Sequence, residues 1–145
     1  MTTDTRYMTA GVVGGVVGGV IFGFMMQAMG MLGMVASLVG QDSAAVGWVV
    51  HLAISALFGV AYAMFLGSRS TSWALALGLG AVYGVVWWVL GALVLMPAFL
   101  GMPVLQVGQG QLQSLLGHLI YGLALAAVLH AMVQPARARN VTSRA

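Results

Sequence analysis

The sequence contains no cysteine, no lysine and no glutamate. Without cysteine there are no disulfides, no thiolate ligands and no thiol nucleophile. The only acids are Asp4 and Asp42, and both lie outside the apolar stretches. A Ser/His/acid triad buried among those stretches therefore lacks its acid, and a carboxylate-driven proton antiporter has nothing to titrate. Charged residues make up 5% of the chain, against roughly 25% in soluble domains. None of the apolar stretches alternates with period two, which argues against strands. No P-loop is present, and the glycine strings near the N-terminus follow no strand, so a nucleotide-binding βαβ unit is excluded. The net charge of +3 is no nucleic-acid signal, because Arg137, Arg139 and Arg144 cluster at the C-terminus. A cleavable leader is not expected, since Asp4 offsets Arg6 and no small-x-small site follows the first apolar run.

What is there is apolar: 61% of the residues are hydrophobic. They fall into four runs, about 10–34, 46–66, 73–96 and 112–133. Each meets the roughly 20 residues that a helix needs to cross about 30 Å of hydrocarbon. The prediction is an all-α polytopic membrane protein, a four-transmembrane-helix bundle forming one domain over 1–145, with a basic tail at 134–145. Breaks at Gly40–Ser43 and Gly67–Ser72 separate the runs, the third stops at Pro97, and 97–111 suits an interfacial loop with one helical turn. Arg6, Arg69 and the three C-terminal arginines fall on one side of a four-span chain, while the other two loops carry none. The positive-inside rule then places both termini in the cytoplasm of a plasma (inner) membrane. Leu32-Gly33-Met34 before His51 and Leu100-Gly101-Met102 before His118 suggest a helical hairpin repeated once.

Gly11, Gly15, Gly19 and Gly23 recur at every fourth position, with Gln27 in the fifth place. In a soluble helix each would cost about 1 kcal/mol relative to alanine, but in a bilayer this spacing lets a second helix approach closely. The same spacing runs through Gly47, His51, Ser55, Gly59 and Ala63, and through Gly110, Ser114, His118, Gly122, Ala126 and His130. Gly80 and Gly84 mark the third span. Gly11, Gly15, Gly19, Gly23, Gly59, Gly80, Gly84 and Gly122 are thus the expected helix-packing positions.

The stripe puts His51 and His118 on inward faces. They are the candidate ligand or proton-relay pair: two imidazoles from facing helices suit axial haem ligation or a share in a copper or zinc site, whereas the plain reading is a hydrogen bond that fixes helix register. A four-ligand zinc site lacks further donors, and the eleven methionines serve as apolar filler more readily than as Cu(I) ligands. Gln27, Ser55, Tyr62, Tyr83, Trp87 and Tyr121 are candidates to line a pocket.

The segments HLAISALFGVAYAMFL at 51–66, LVLMPAFLGMP at the end of the third span and GHLIY at 117–121 resemble the YagU-like family of bacterial inner-membrane proteins, over roughly residues 47–125. That resemblance implies a four-span inner-membrane protein, a link to acid or envelope stress, and no catalytic residues to carry over. The expected function is non-enzymatic: a structural or accessory membrane component that oligomerises through its small-residue faces. The alternatives are a haem- or metal-binding protein using His51 and His118, and a small channel or transporter. The expected partners are the lipid bilayer and a homo-oligomer or larger membrane complex, with no nucleic acid. No cofactor is expected under the first reading; haem or copper belongs to the second.

Overall fold

The computed structural model describes residues 3–142 along the backbone and 5–134 with their side chains. The elements in order are α1 (Thr3–Ala28), α2 (Leu32–Ser37), α3 (Ala44–Leu66), a 3-10 turn (Gly67–Arg69), α4 (Trp73–Trp87), a π-helical segment (Trp88–Leu95), α5 (Met96–Phe99) and α6 (Gln109–Thr142). No strand occurs among the described residues. Four segments are long and apolar enough to cross a membrane: Thr5–Ala28, Ala44–Arg69, Trp73–Phe99 and Gln109–Gln134. The chain is a multi-pass membrane protein with an all-α, four-helix architecture. Tyr7 lies against Gly67, and His130 bonds Ser70. The start of α1, the 67–72 turn and the last part of α6 therefore share one end of the bundle.

Local chemistry sets the boundaries. Ser43 and Ser72 cap α3 and α4, their hydroxyls accepting from the amides of Val46 and Leu75. The first run does not continue to residue 34. Gly30 adopts φ 68°, and Met31 N–H reaches back to Met26 O at 2.9 Å, the left-handed glycine stop that ends many helices. Gly40 ends α2 in the same way, with φ 71° and Gln41 N–H on Ala36 O at 3.1 Å. The third run does not stop at Pro97 either. Hydrogen bonding shifts to a π register, with Met96 N–H on Gly91 O, and the helix passes through Pro97 to Phe99. In an α register Leu93 O would receive the amide that Pro97 lacks; it receives Leu105 N–H instead, at 2.7 Å. The fourth helix likewise runs through Pro135 to Thr142, so the predicted tail begins as a continuation of α6. The side chains of Arg137 and Arg139, and Arg144 altogether, lie outside the described residues.

Six of the predicted packing glycines sit where backbones meet, within the single chain, whereas Gly19 and Gly23 make room for the side chains of Ser55 and Trp48. A Cβ at Gly11 would fall 2.5 Å from Gly59 O and 2.7 Å from Ala63 Cβ. A Cβ at Gly80 would overlap Gly122 O and lie 2.7 Å from Ala126 Cβ. Gly15 meets Ser55 O, and Gly84 meets His118 O. The α1/α3 contact is thus repeated in α4/α6: Gly11 corresponds to Gly80, Gly15 to Gly84, Gly59 to Gly122 and Ala63 to Ala126. The repeat of two hairpins is present, but its register differs by one turn from the one suggested by the histidines. Ser55 matches His118, and His51 matches Ser114.

A two-fold arrangement of these hairpins creates two further equivalent seams, and they differ. In the first, Gly14 packs on Leu125 and Gly18 on Tyr121, bringing α1 onto α6. In the second the corresponding residues are Tyr83 against Tyr62, with ring centroids 5.1 Å apart, and Trp87 against Phe58, stacked at 3.7 Å. Glycine closes one seam, and aromatic rings hold α3 and α4 apart in the other. Gly59→Leu and Gly122→Leu each force a side chain into an opposing carbonyl and are expected to destabilise by about 3 kcal/mol or more. Gly78→Leu, where nothing lies within 4 Å, is expected to leave stability unchanged or raise it by up to about 1 kcal/mol. Thermal unfolding of the three variants in one detergent, followed by circular dichroism, measures the difference.

Candidate functional site

The candidate pair is carried by α3 and α6, which are not packed face to face as expected but both pack on α1, at the end of the bundle opposite the termini. His51 lies two turns into α3 and is buried. Its Nε2–H donates to Gly19 O of α1 at 2.9 Å; the acceptor is a carbonyl, so the proton sits on Nε2. This bond is possible because Gly19 has no side chain, leaving room for Ser55 beside it. His118 is held within its own helix: Nδ1–H donates to Ser114 O at 2.8 Å, with the Ser114 hydroxyl 3.3 Å from the same nitrogen.

Phe22 joins the two rings. It meets His118 edge-on at a centroid distance of 4.8 Å and His51 at 5.4 Å. A Cβ at Gly117 would strike the Phe22 ring, so that glycine makes the space Phe22 fills. In the second hairpin Gly91 stands at the position equivalent to Phe22, with open space around it; the imidazole–phenyl cluster therefore has no counterpart there. Trp48 extends the cluster, edge-on to His51 at 6.3 Å, and its Nε1–H donates to Gln27 Oε1 at 2.6 Å.

Tyr62 and Tyr121 belong to the buried core, and Tyr83 packs against it. Their hydroxyls are turned onto backbone carbonyls of neighbouring helices. Tyr121 Oη–H donates to Ser55 O at 2.7 Å, Tyr83 to Phe58 O at 2.7 Å, and Tyr62 to Ala76 O at 3.3 Å. Trp87 stacks on Phe58 in the wide seam, and its Nε1 is buried without a hydrogen-bond partner. Gln27 is exposed at the rim and serves Trp48.

Phe22 and Trp88 escape the glycine-stripe reading, and His130, although it ends the α6 stripe, is not singled out by it. Phe22 follows Gly14 and Gly18 at the same four-residue spacing, so a second stripe on the same helix would have found it. Trp88 bridges the π segment to α6, with Nε1–H on Gln111 O at 2.8 Å. His130, 1% exposed, locks the terminal end: Nδ1–H donates to Ser70 O at 2.9 Å, Gln134 Nε2–H donates to its Nε2 at 2.8 Å, and Trp73 stands edge-on at 4.6 Å. Nothing in the spacing of His130 distinguishes it from His118; the loop that brings Ser70 to it does.

In chemical terms, each imidazole of the pair gives one N–H to a helix carbonyl and keeps one nitrogen lone pair, His51 on Nδ1 and His118 on Nε2. Metal-ligating histidines are commonly oriented in this way. No group of three or more His, Cys, Asp or Glu side chains able to hold a metal occurs among the described residues, so His51 and His118 would supply two nitrogen ligands to a group bound there. His51→Leu removes a bond between helices and is expected to lower stability by about 1 kcal/mol. His118→Leu removes only a bond within α6 and should cost less; unfolding of both variants in the same detergent gives the ordering. The chain matches no protein-family profile, no curated protein and no solved structure.

Proposed function

We propose that this protein is a non-enzymatic structural or accessory component of a bacterial inner membrane, with the end bearing Arg6 and Arg69 in the cytoplasm. The observation that carries this reading is the use of polar groups inside the spans. His51, Tyr62, Tyr83, Tyr121 and His130 each direct a donor at a backbone carbonyl of another segment. Groups spent on register in this way are not arranged along a path for solutes or protons. The arginine distribution supports the orientation, and the resemblance to the YagU-like family agrees with the setting. The packing glycines are occupied within the chain, so a homo-oligomer or larger complex uses the Leu, Val and Phe surface of the bundle.

The second reading is axial haem or metal binding by His51 and His118, favoured by the one free nitrogen on each ring. Two measurements separate the readings. Purified protein is expected to show no Soret band and no stoichiometric copper or zinc, and proteoliposomes to show no protein-dependent flux of protons or small solutes. A Soret band lost in His51→Ala or His118→Ala would replace the accessory reading with haem binding. A specific flux would replace it with transport.

A further inference from the structure

Between Arg69 and Arg137 the chain has no charged side chain. That stretch includes the whole 100–108 connector at the end opposite the termini. A connector meant for water would carry charge, as the other one at this end does with Asp42. This one instead exposes Met102, Val104, Leu105 and Val107. Phe99, at the end of α5, is 79% exposed.

Leu105 is the informative residue. It adopts φ 57° and is the one non-glycine with positive φ among the described residues. Glycine or asparagine would take that conformation at less cost. The turn is imposed from inside, because it aims the Leu105 amide at the Leu93 carbonyl that Pro97 leaves open. The leucine side chain is left largely exposed, at 59%. Backbone hydrogen bonding continues along the hook, with Met102 N–H on Pro97 O at 2.8 Å, and Trp88 ties the π segment to Gln111 where α6 begins. The Met102 and Leu105 amides are thus bonded within the protein, while the apolar side chains of the hook are exposed.

We propose that the 99–107 hook is a lipid anchor. Phe99, Met102, Val104, Leu105 and Val107 lie in the boundary between head groups and acyl chains of the adjacent leaflet, continuous with the lipid-facing surface of the spans. The insertion depth is that of an interfacial segment, about 5–10 Å. Lipid, and not a second copy, is the occupant named here, because the apolar residues of the hook lie in the chain between the exposed Leu90 and Leu95 of the third span and the exposed Leu112 and Leu116 of the fourth.

The chain has no cysteine, so single-cysteine variants can be labelled directly with an environment-sensitive fluorophore. Met102→Cys and Val107→Cys report on the hook, and Gln41→Cys, exposed in the other connector at the same end, is the reference. All three sites are exposed, so folding is not at risk. In phosphatidylcholine vesicles, nitroxide carried near the lipid head group is expected to quench the two hook probes strongly, and their accessibility to aqueous iodide to fall about threefold or more below that of the reference. Iodide quenching equal to the reference would show a water-exposed loop and overturn the proposal. Shielding from iodide and from nitroxide lipid together would show protein contact, and would also overturn it.

Discussion

Two apolar helices in hydrocarbon gain nothing by hiding side chains from their surroundings, because lipid tails are as apolar as leucine. What remains is dispersion between closely placed atoms and the hydrogen bonds that close approach permits, and dispersion weakens steeply over fractions of an ångström. Gly11 against Gly59 and Gly80 against Gly122 bring backbones into direct contact. They set α1 on α3 and α4 on α6, and they position Gly19 O to receive His51.

The two remaining seams show what happens when the same geometry receives different residues. With Gly14 and Gly18, α1 settles onto α6. With Tyr83 and Trp87, α4 is held off α3, and rings fill the gap. Rings bring polar tips into a medium that cannot solvate them, and carbonyls of the neighbouring helix accept them. Tyr83 on Phe58 O and Tyr62 on Ala76 O are therefore consequences of the wide seam as much as supports of it. The bundle is pinned at three levels: by His130 at the terminal end, by the tyrosines in the middle, and by His51 and Trp48 at the far end.

Local breaks were the least legible part of the sequence. Gly30 looks like one more glycine in a glycine-rich run, yet it alone near the end of α1 turns left-handed and lets α2 fold back, burying Leu32, Val35 and Ala36. Pro97 reads as a stop, but a change to π register and a donated amide from Leu105 carry the helix past it. Both outcomes depend on what the following segment packs against, and spacing does not encode that. The candidate site was half legible. The inward faces of His51 and His118 follow from four-residue spacing; their common neighbour Phe22 lies on a different stripe of a different helix.

Composition and periodicity by themselves determined the class of this protein. Five per cent charge and four long apolar runs require helices in lipid, because only a helix satisfies its backbone internally there. They also determined which faces turn inward, because residues four apart share a side. Tertiary structure decided which face meets which. Gly59 finds Gly11 and Gly122 finds Gly80, and this sets the hairpin repeat one turn away from the register the histidines suggest. A stripe of small residues permits close approach at several heights. Only the packed bundle, with Phe22 fitted against Gly117 and the tyrosine hydroxyls on their carbonyls, selects one.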